Sequence, residues 1–314
     1  MKGTRFGKKI IWFLVSLFIF MNVVAFFHAY KFTHFTDRNV SKTNAKELSA
    51  LKKLQVIVFG IDNPRPVNKG FPSQPFQTIK LQSNKIIECW YIKAAQARGT
   101  IVLFHGYAGQ KSSMLDKSDE FNRLGYNTLL VDFMGSGGSE GNQTTIGYKK
   151  AEEVKTCFKF LVKQGEDKIY LFGTSLGAVA IMKAIDNYGI NPTGIIIECP
   201  FGSMYQTTCA RFKLMNVPSF PIAGLLVFWG GVQNNFPAFQ HNPVEYAKNI
   251  KCPTLLLYGE KDDRVSRSEI DKIYNNLPGF KTLKTYPLAG HENYLLKYKQ
   301  EWLTDTEAFL EANN

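Results

Sequence analysis

The stretch KIYLFGTSLGA, residues 168–178, decides how this chain is read. KIYLFG is short, apolar and rich in aromatic and β-branched residues, the pattern of a buried strand. LGAVAIMKAIDNYG (176–189) has the length and composition of a helix. Nothing separates the two, so the strand must turn into the helix at Ser175 itself. A turn that sharp strains the central residue and crowds its neighbours two positions away, and Gly173 and Gly177 stand at those positions. The Ser175 hydroxyl is thereby expected above a sheet, beside a helix N-terminus that favours developing negative charge. Ser175 is the candidate nucleophile.

The same alternation extends outward. QTIKL and KIIECWYI form an opening hairpin from Gln77, followed by strands at TIVLFHG (100–106), YNTLLVDF (126–133), GIIIECP (194–200), PTLLLYG (253–259) and KTLKTYP (281–287). Helices are predicted over 111–124, 145–164, 266–277 and 298–312. Apolar strands alternating with helices imply a mostly parallel sheet covered on both faces, with ligands at the carboxyl ends of its strands. The residues able to do chemistry fall at those ends. His291 follows the last strand and is the candidate general base. Asp262, just past Gly259, is the candidate acid that orients it, with Glu198 and Asp263 as rivals. Backbone N–H groups of Tyr107 and Leu176 are the candidate oxyanion donors. His105 and Asp132 read as structural, and His28, His34 and His241 as ordinary residues.

With these motifs in order, the chain resembles the α/β-hydrolase superfamily over about residues 77–314. HGYAG, VDFMGSGGSEG, GTSLGA, YGEKDDRV and AGHENY carry the likeness, which is greatest to single-pass, membrane-anchored members with a short cap. The resemblance implies an eight-stranded sheet, a Ser175/Asp262/His291 triad and no cofactor. It also exposes a departure: Met134 stands where the family commonly has arginine after the aromatic residue.

Residues 201–249 interrupt the rhythm and are expected to form a small cap inserted in the hydrolase domain (76–314). Its run VPSFPIAGLLVFWGGV (217–232) is either a short buried helix or the wall of an acyl-binding groove, with Leu226 and Trp229 as candidate substrate contacts.

At the other end, IIWFLVSLFIFMNVVAFF (10–27) is free of charge, and extended to Tyr30 it is long enough to cross a bilayer. A cleaved signal peptide is the competing reading, disfavoured by the bulk of Phe27 near any cleavage point. The expectation is a short cytoplasmic tail (1–9), a signal anchor (10–30) and a tether (31–75), with a short helix at 44–54. The hydrolase domain would then lie on the extracytoplasmic side, because Lys2, Arg5, Lys8 and Lys9 crowd the N-terminal flank.

Of the formal net charge of +12, +8 falls within residues 1–53, beside the apolar run, where anionic lipid headgroups are the natural partner. No nucleic-acid motif accompanies it. Five cysteines at irregular spacing support neither a disulfide framework nor a metal site, though a Cys199–Cys209 bridge stays open. The reading that results is hydrolysis of a small-molecule or lipid ester or thioester without metal or cofactor. An amidase or peptidase using the same triad and a non-catalytic binding module are the alternatives. Oligomeric state is not readable.

Overall fold

The computed structural model describes residues 3–37 and 50–313. Eight strands make one sheet: β1 (Phe76–Gln82), β2 (Ile86–Ile92), β3 (Thr100–Phe104), β4 (Asn127–Val131), β5 (Ile169–Thr174), β6 (Gly194–Glu198), β7 (Thr254–Gly259) and β8 (Lys281–Tyr286). Their spatial order is β8-β7-β6-β5-β3-β4-β2-β1. The hairpin β1–β2 joins β4 antiparallel, and every other pairing is parallel. The central strands β3 to β7 are buried on both faces, which is why they read as continuous apolar runs rather than alternating ones.

Helices α3 (Leu115–Arg123), α4 (Lys150–Lys163), α5 (Leu176–Tyr188), α9 (Arg267–Asn276) and α11 (Lys299–Ala312) cover the two faces, with α10 (Tyr294–Lys297) a single turn before α11. Two buried clusters result. One joins Val179, Met182, Leu256 and Ile273 beneath α4, α5 and α9, and the other joins Phe121, Phe172, Tyr286 and Trp302 beneath α3 and α11. The helix expected from 145 begins only at Lys150, because Ile146 and Gly147 take positive φ values of 52° and 102°.

Segment 201–249 contains α6 (Met204–Leu214), α7 (Ile222–Asn234) and the short α8 (Pro243–Tyr246). The N-terminal helix α1 (Gly3–Thr33) is one continuous rod. From Ile10 to Phe20 its large apolar side chains are exposed, whereas Ala25, Ala29 and Thr33 are buried. These three lie four residues apart on one stripe, and small side chains there let α7 approach closely. Trp229 donates to Asn22 Oδ1 at 3.1 Å, Gln233 to the Phe26 carbonyl at 2.8 Å, and Asn234 to Thr33 Oγ1 at 3.0 Å.

The segment expected to be a tether is stitched to the body wherever it is described. Phe35–Thr36 pairs with Asn63–Pro64, and the Phe35 N–H donates to the Asn142 carbonyl at 2.7 Å. Arg65 donates to the carbonyls of Gly137 and Ser139. The short helix is α2 (Ala50–Phe59) rather than 44–54, with Leu51 exposed; residues 44–49 lie outside the described residues.

The loop after β4 shows how the Met134 departure is accommodated. Lys150 Nζ donates to the Met134 carbonyl at 2.7 Å, and the Met134 N–H donates to Glu153 at 2.8 Å. Asp132 accepts from the Gly138 N–H, Asn68 and the buried Lys111 ammonium, which also reaches Glu88 at 2.8 Å and sits over the Trp90 ring. Removing the ammonium leaves the Asp132 carboxylate buried and uncompensated. Lys111→Met should therefore cost about 3–5 kcal/mol in denaturant unfolding; a loss below about 1 kcal/mol would mean the remaining donors suffice.

Candidate active site

Four strand ends and one helix start meet above the sheet. Ser175, between β5 and α5, has φ 51° and ψ −109°, a strained conformation for a non-glycine residue. Its N–H donates to the Glu198 carbonyl at 2.8 Å, which ties the turn to the end of β6. The flanking glycines are needed for room. A Cβ on Gly177 would run into the Phe104 carbonyl, and one on Gly173 would lie 2.6 Å from the Ala178 nitrogen.

His291, in the loop after β8, places Nε2 3.0 Å from Ser175 Oγ and Nδ1 2.7 Å from Asp262 Oδ2. The other Asp262 oxygen accepts the N–H groups of Arg264 and Val265 at 2.8 and 2.9 Å, which fixes the carboxylate in plane with its partner's needs. Of the three rival acids, Asp262 alone meets His291. Glu198 is buried below the turn, accepting from Thr174 Oγ1 at 2.9 Å and Trp302 Nε1 at 2.8 Å. Asp263 is exposed.

Tyr107, in the loop after β3, lines the cavity beside Ser175, and Leu176 is the first residue of α5. The β3 loop is a tight turn, with Gly109 N–H donating to the Gly106 carbonyl and Ala108 at φ 53°. His105 braces it, its Nδ1 2.8 Å from the Gly106 carbonyl and its Nε2 accepting the Phe133 N–H at 3.2 Å. Burial holds His105 down to about 4, and His241 likewise, so both imidazoles are neutral.

A cavity of about 150 Å³ opens beside Ser175 and His291. Its lining includes Tyr107, Phe201, Thr207 and Arg211 but neither Leu226 nor Trp229. Trp229 instead turns away to α1, stacking edge-on against Phe26 at 5.2 Å. The expected acyl contacts are thus displaced by helix–helix packing.

Sequence reasoning missed two neighbours. Cys199, at φ 41° just past β6, brings Sγ to 4.0 Å from His291 Nε2. All five thiols are free, so Cys199 is not bridged to Cys209. Cys199, Asp262 and His291 are the group of soft and hard donors close enough for a metal ion among the described residues, within 4.8 Å. An ion there would compete with the His291–Ser175 bond. The second neighbour is Phe32, whose ring stacks on Tyr107 at 4.7 Å while its carbonyl accepts the Tyr107 hydroxyl at 2.8 Å. The Thr174–Ser175–Leu176 turn was legible; these two contacts come from distant segments with no motif.

The comparisons with known proteins agree with this architecture. The model of the serine aminopeptidase (S33) family of hydrolases matches residues 95–245. An esterase from Pyrococcus furiosus superposes with a TM-score of 0.68 at 22% identity, covering 79% of this chain and 96% of that one. The chain has the α/β-hydrolase fold. The chain is also 25% identical over 227 residues to the lysophosphatidylserine lipase ABHD12 of Danio rerio, covering 68% of this chain and 53% of that protein. It is 23% identical over 246 residues to an uncharacterized protein of Mycobacterium tuberculosis, covering 76% and 80%. The chain therefore spans about half the length of the lipase relative.

Burial opposes charge on His291, but Cys199 and Asp262 outweigh it and push its pKa up to about 10. A general base must be neutral to accept a proton, so turnover should rise with pH through the alkaline range. Cys199→Ala removes a group that favours the imidazolium, so the rising limb of kcat/KM should move to lower pH. A limb that stays in place would exclude Cys199 from tuning His291.

Proposed function

We propose that this hydrolase cleaves a carboxylic ester or thioester, lipid-derived ones included, through an acyl intermediate on Ser175. The supporting observation is the unbroken line of hydrogen bonds Ser175–His291–Asp262, at 3.0 and 2.7 Å. His291 Nε2 takes the Ser175 proton as Oγ attacks the carbonyl carbon, and the Tyr107 and Leu176 N–H groups receive the oxyanion. Collapse breaks the ester bond, and the imidazolium returns the proton to the departing alcohol or thiol. Water then enters by the same route in reverse and frees the acid. Asp262 holds the Nδ1–H tautomer throughout and stabilises the imidazolium. An aminopeptidase would need a carboxylate for the substrate's ammonium group, yet the cavity is lined by Arg211 and Arg264 and by no acidic residue among the described ones. That favours the ester reading.

A fluorophosphonate should label Ser175, and Ser175→Ala should lose hydrolysis of acyl esters by about 10⁴-fold or more. Asp262→Asn should cost about 10⁴-fold in kcat, with Glu198→Gln far milder. Labelling or turnover unchanged in Ser175→Ala would leave a binding module or another nucleophile.

The same reading gives α1 the role of membrane anchor, with the body outside the cytoplasm. Gly7–Thr33 is long and apolar enough to cross a membrane. Its freely exposed stretch Ile10–Phe20 spans about 16 Å at ~1.5 Å per residue, roughly half a ~30 Å hydrocarbon core. The rest of the span must come from the residues packed on α7, so α7 enters the membrane boundary with it. Exposed Phe228 and Val232 on α7, and Met215, Val217 and Phe220 before it, suit that position. In bilayers of brominated lipid, fluorescence quenching should fall both in Trp12→Phe and in Trp229→Phe. A Trp229→Phe variant quenched like the wild type would put α7 in water. Protease added to sealed cells should digest the body, and protection there would reverse the orientation.

A further inference from the structure

The cavity beside Ser175 holds a cation that the acyl-transfer steps do not use. Arg211 lies on α6 one turn after Thr207, and this spacing turns both side chains toward the cavity they line. Its guanidinium sits 4.5 Å from the centre of the Phe32 ring and 5.4 Å from that of Tyr107. Neither ring contact is a hydrogen bond, so both leave the guanidinium N–H donors available. Among the described residues, neither Arg211 nor the nearby Arg264 is paired with a carboxylate, and no side-chain hydrogen bond from Arg211 joins another residue. Burial lowers the Arg211 pKa and Arg264 lowers it further, with Tyr107 acting in the opposite sense. An arginine nevertheless stays charged at any physiological pH. Ring contacts compensate a desolvated cation only in part. Two cations therefore face one small cavity next to the reacting serine without a counterion.

We propose that Arg211 binds an anionic oxo group, a phosphate or a carboxylate, on the alcohol half of the substrate, so that the hydrolase prefers acyl esters of anionic alcohols. The lining mixes apolar Phe201 and Val265 with polar Thr174, Thr207, Arg211 and Arg264, and because an acyl chain carries no charge, the anion that its two cations suit is assigned to the alcohol half. Exposed Arg264, at the mouth, draws in the same anion. The proposal rests on the reading of Ser175 as nucleophile.

The test uses the full-length protein in detergent with three substrates sharing one acyl chain: 1-oleoylglycerol, 1-oleoylglycerol 3-phosphate and the oleoyl ester of glyceric acid. The wild type should favour the anionic esters over the neutral one by about tenfold or more in kcat/KM, the scale of a charged hydrogen bond. Arg211→Gln should bring that ratio close to one, and Arg211→Lys should keep part of it. A preference for the phosphate alone, or for both anions, identifies which oxo group is read. A wild-type ratio near one, or an Arg211→Gln variant that lowers all three substrates alike, would overturn the proposal, because a mere pin on Phe32 and Tyr107 has no reason to sense substrate charge. A binding arm separates this from the Ser175 reading. Dodecyl phosphate or dodecanoate should bind Ser175→Ala more tightly than dodecanol does, and the advantage should vanish when Arg211→Gln is added. Anion-selective binding without any hydrolysis would leave the anion site standing and overturn the nucleophile; hydrolysis without selectivity would do the reverse.

Discussion

The carboxyl edge of the sheet depends on how closely α5 lies against β3. No side chain fits between Gly177 and the Phe104 carbonyl, and none fits between Gly173 and the start of α5. That contact leaves the chain no room for a relaxed turn and drives Ser175 to φ 51°. A strained residue persists only where its surroundings over-determine it. Here the Ser175 N–H is held by the Glu198 carbonyl, and the neighbouring Thr174 hydroxyl by the Glu198 carboxylate, itself fixed by Trp302 from α11. The serine hydroxyl is therefore presented by backbone packing that reaches through two more layers of the fold, and His291 and Asp262 need only arrive from the two strands beyond.

Much of this is written locally in the chain. Each of the eight strands is a short apolar or alternating run closed by a polar or glycine-rich end, so the order and type of the elements could be read from Gln77 onward. The strand-to-helix junction at Ser175 was equally clear, because two glycines at fixed distance from one serine have a steric meaning. The identity of the acid was less so. Glu198 and Asp262 both end parallel strands, and a sequence does not show that the Glu198 side chain turns down toward Trp302 while Asp262 turns up toward His291. That choice is made by a tryptophan more than a hundred residues away in the chain.

The N-terminal helix was legible in composition and illegible in contact. A helix apolar on every side announces a membrane and conceals which face packs on protein. What marks the packed face of α1 is the small-residue stripe Ala25, Ala29 and Thr33, with Asn22 at its start, a pattern that gains meaning only when α7 is known to lie alongside. Trp229 illustrates the consequence. It sits in an apolar run beside a presumed lipid substrate, which suggests an acyl contact, yet its indole N–H needs an acceptor when buried. Asn22 of α1 provides one, and Trp229 does not line the cavity.

The end of α1 then meets the site itself. Phe32 is the last aromatic residue before the helix stops at Thr33, and its ring and carbonyl both engage Tyr107, whose backbone N–H is the proposed oxyanion donor. Arg211 of α6 lies 4.5 and 5.4 Å from the two ring centres, so α1, α6 and the turn after β3 meet in one cluster. A leash would need none of these contacts, and a flexible one would be harmed by them. In the proposed anchored state, the helix that enters the bilayer ends beside the residue that holds the proposed oxyanion turn. The proposed anchor and the proposed site are thus built from shared contacts.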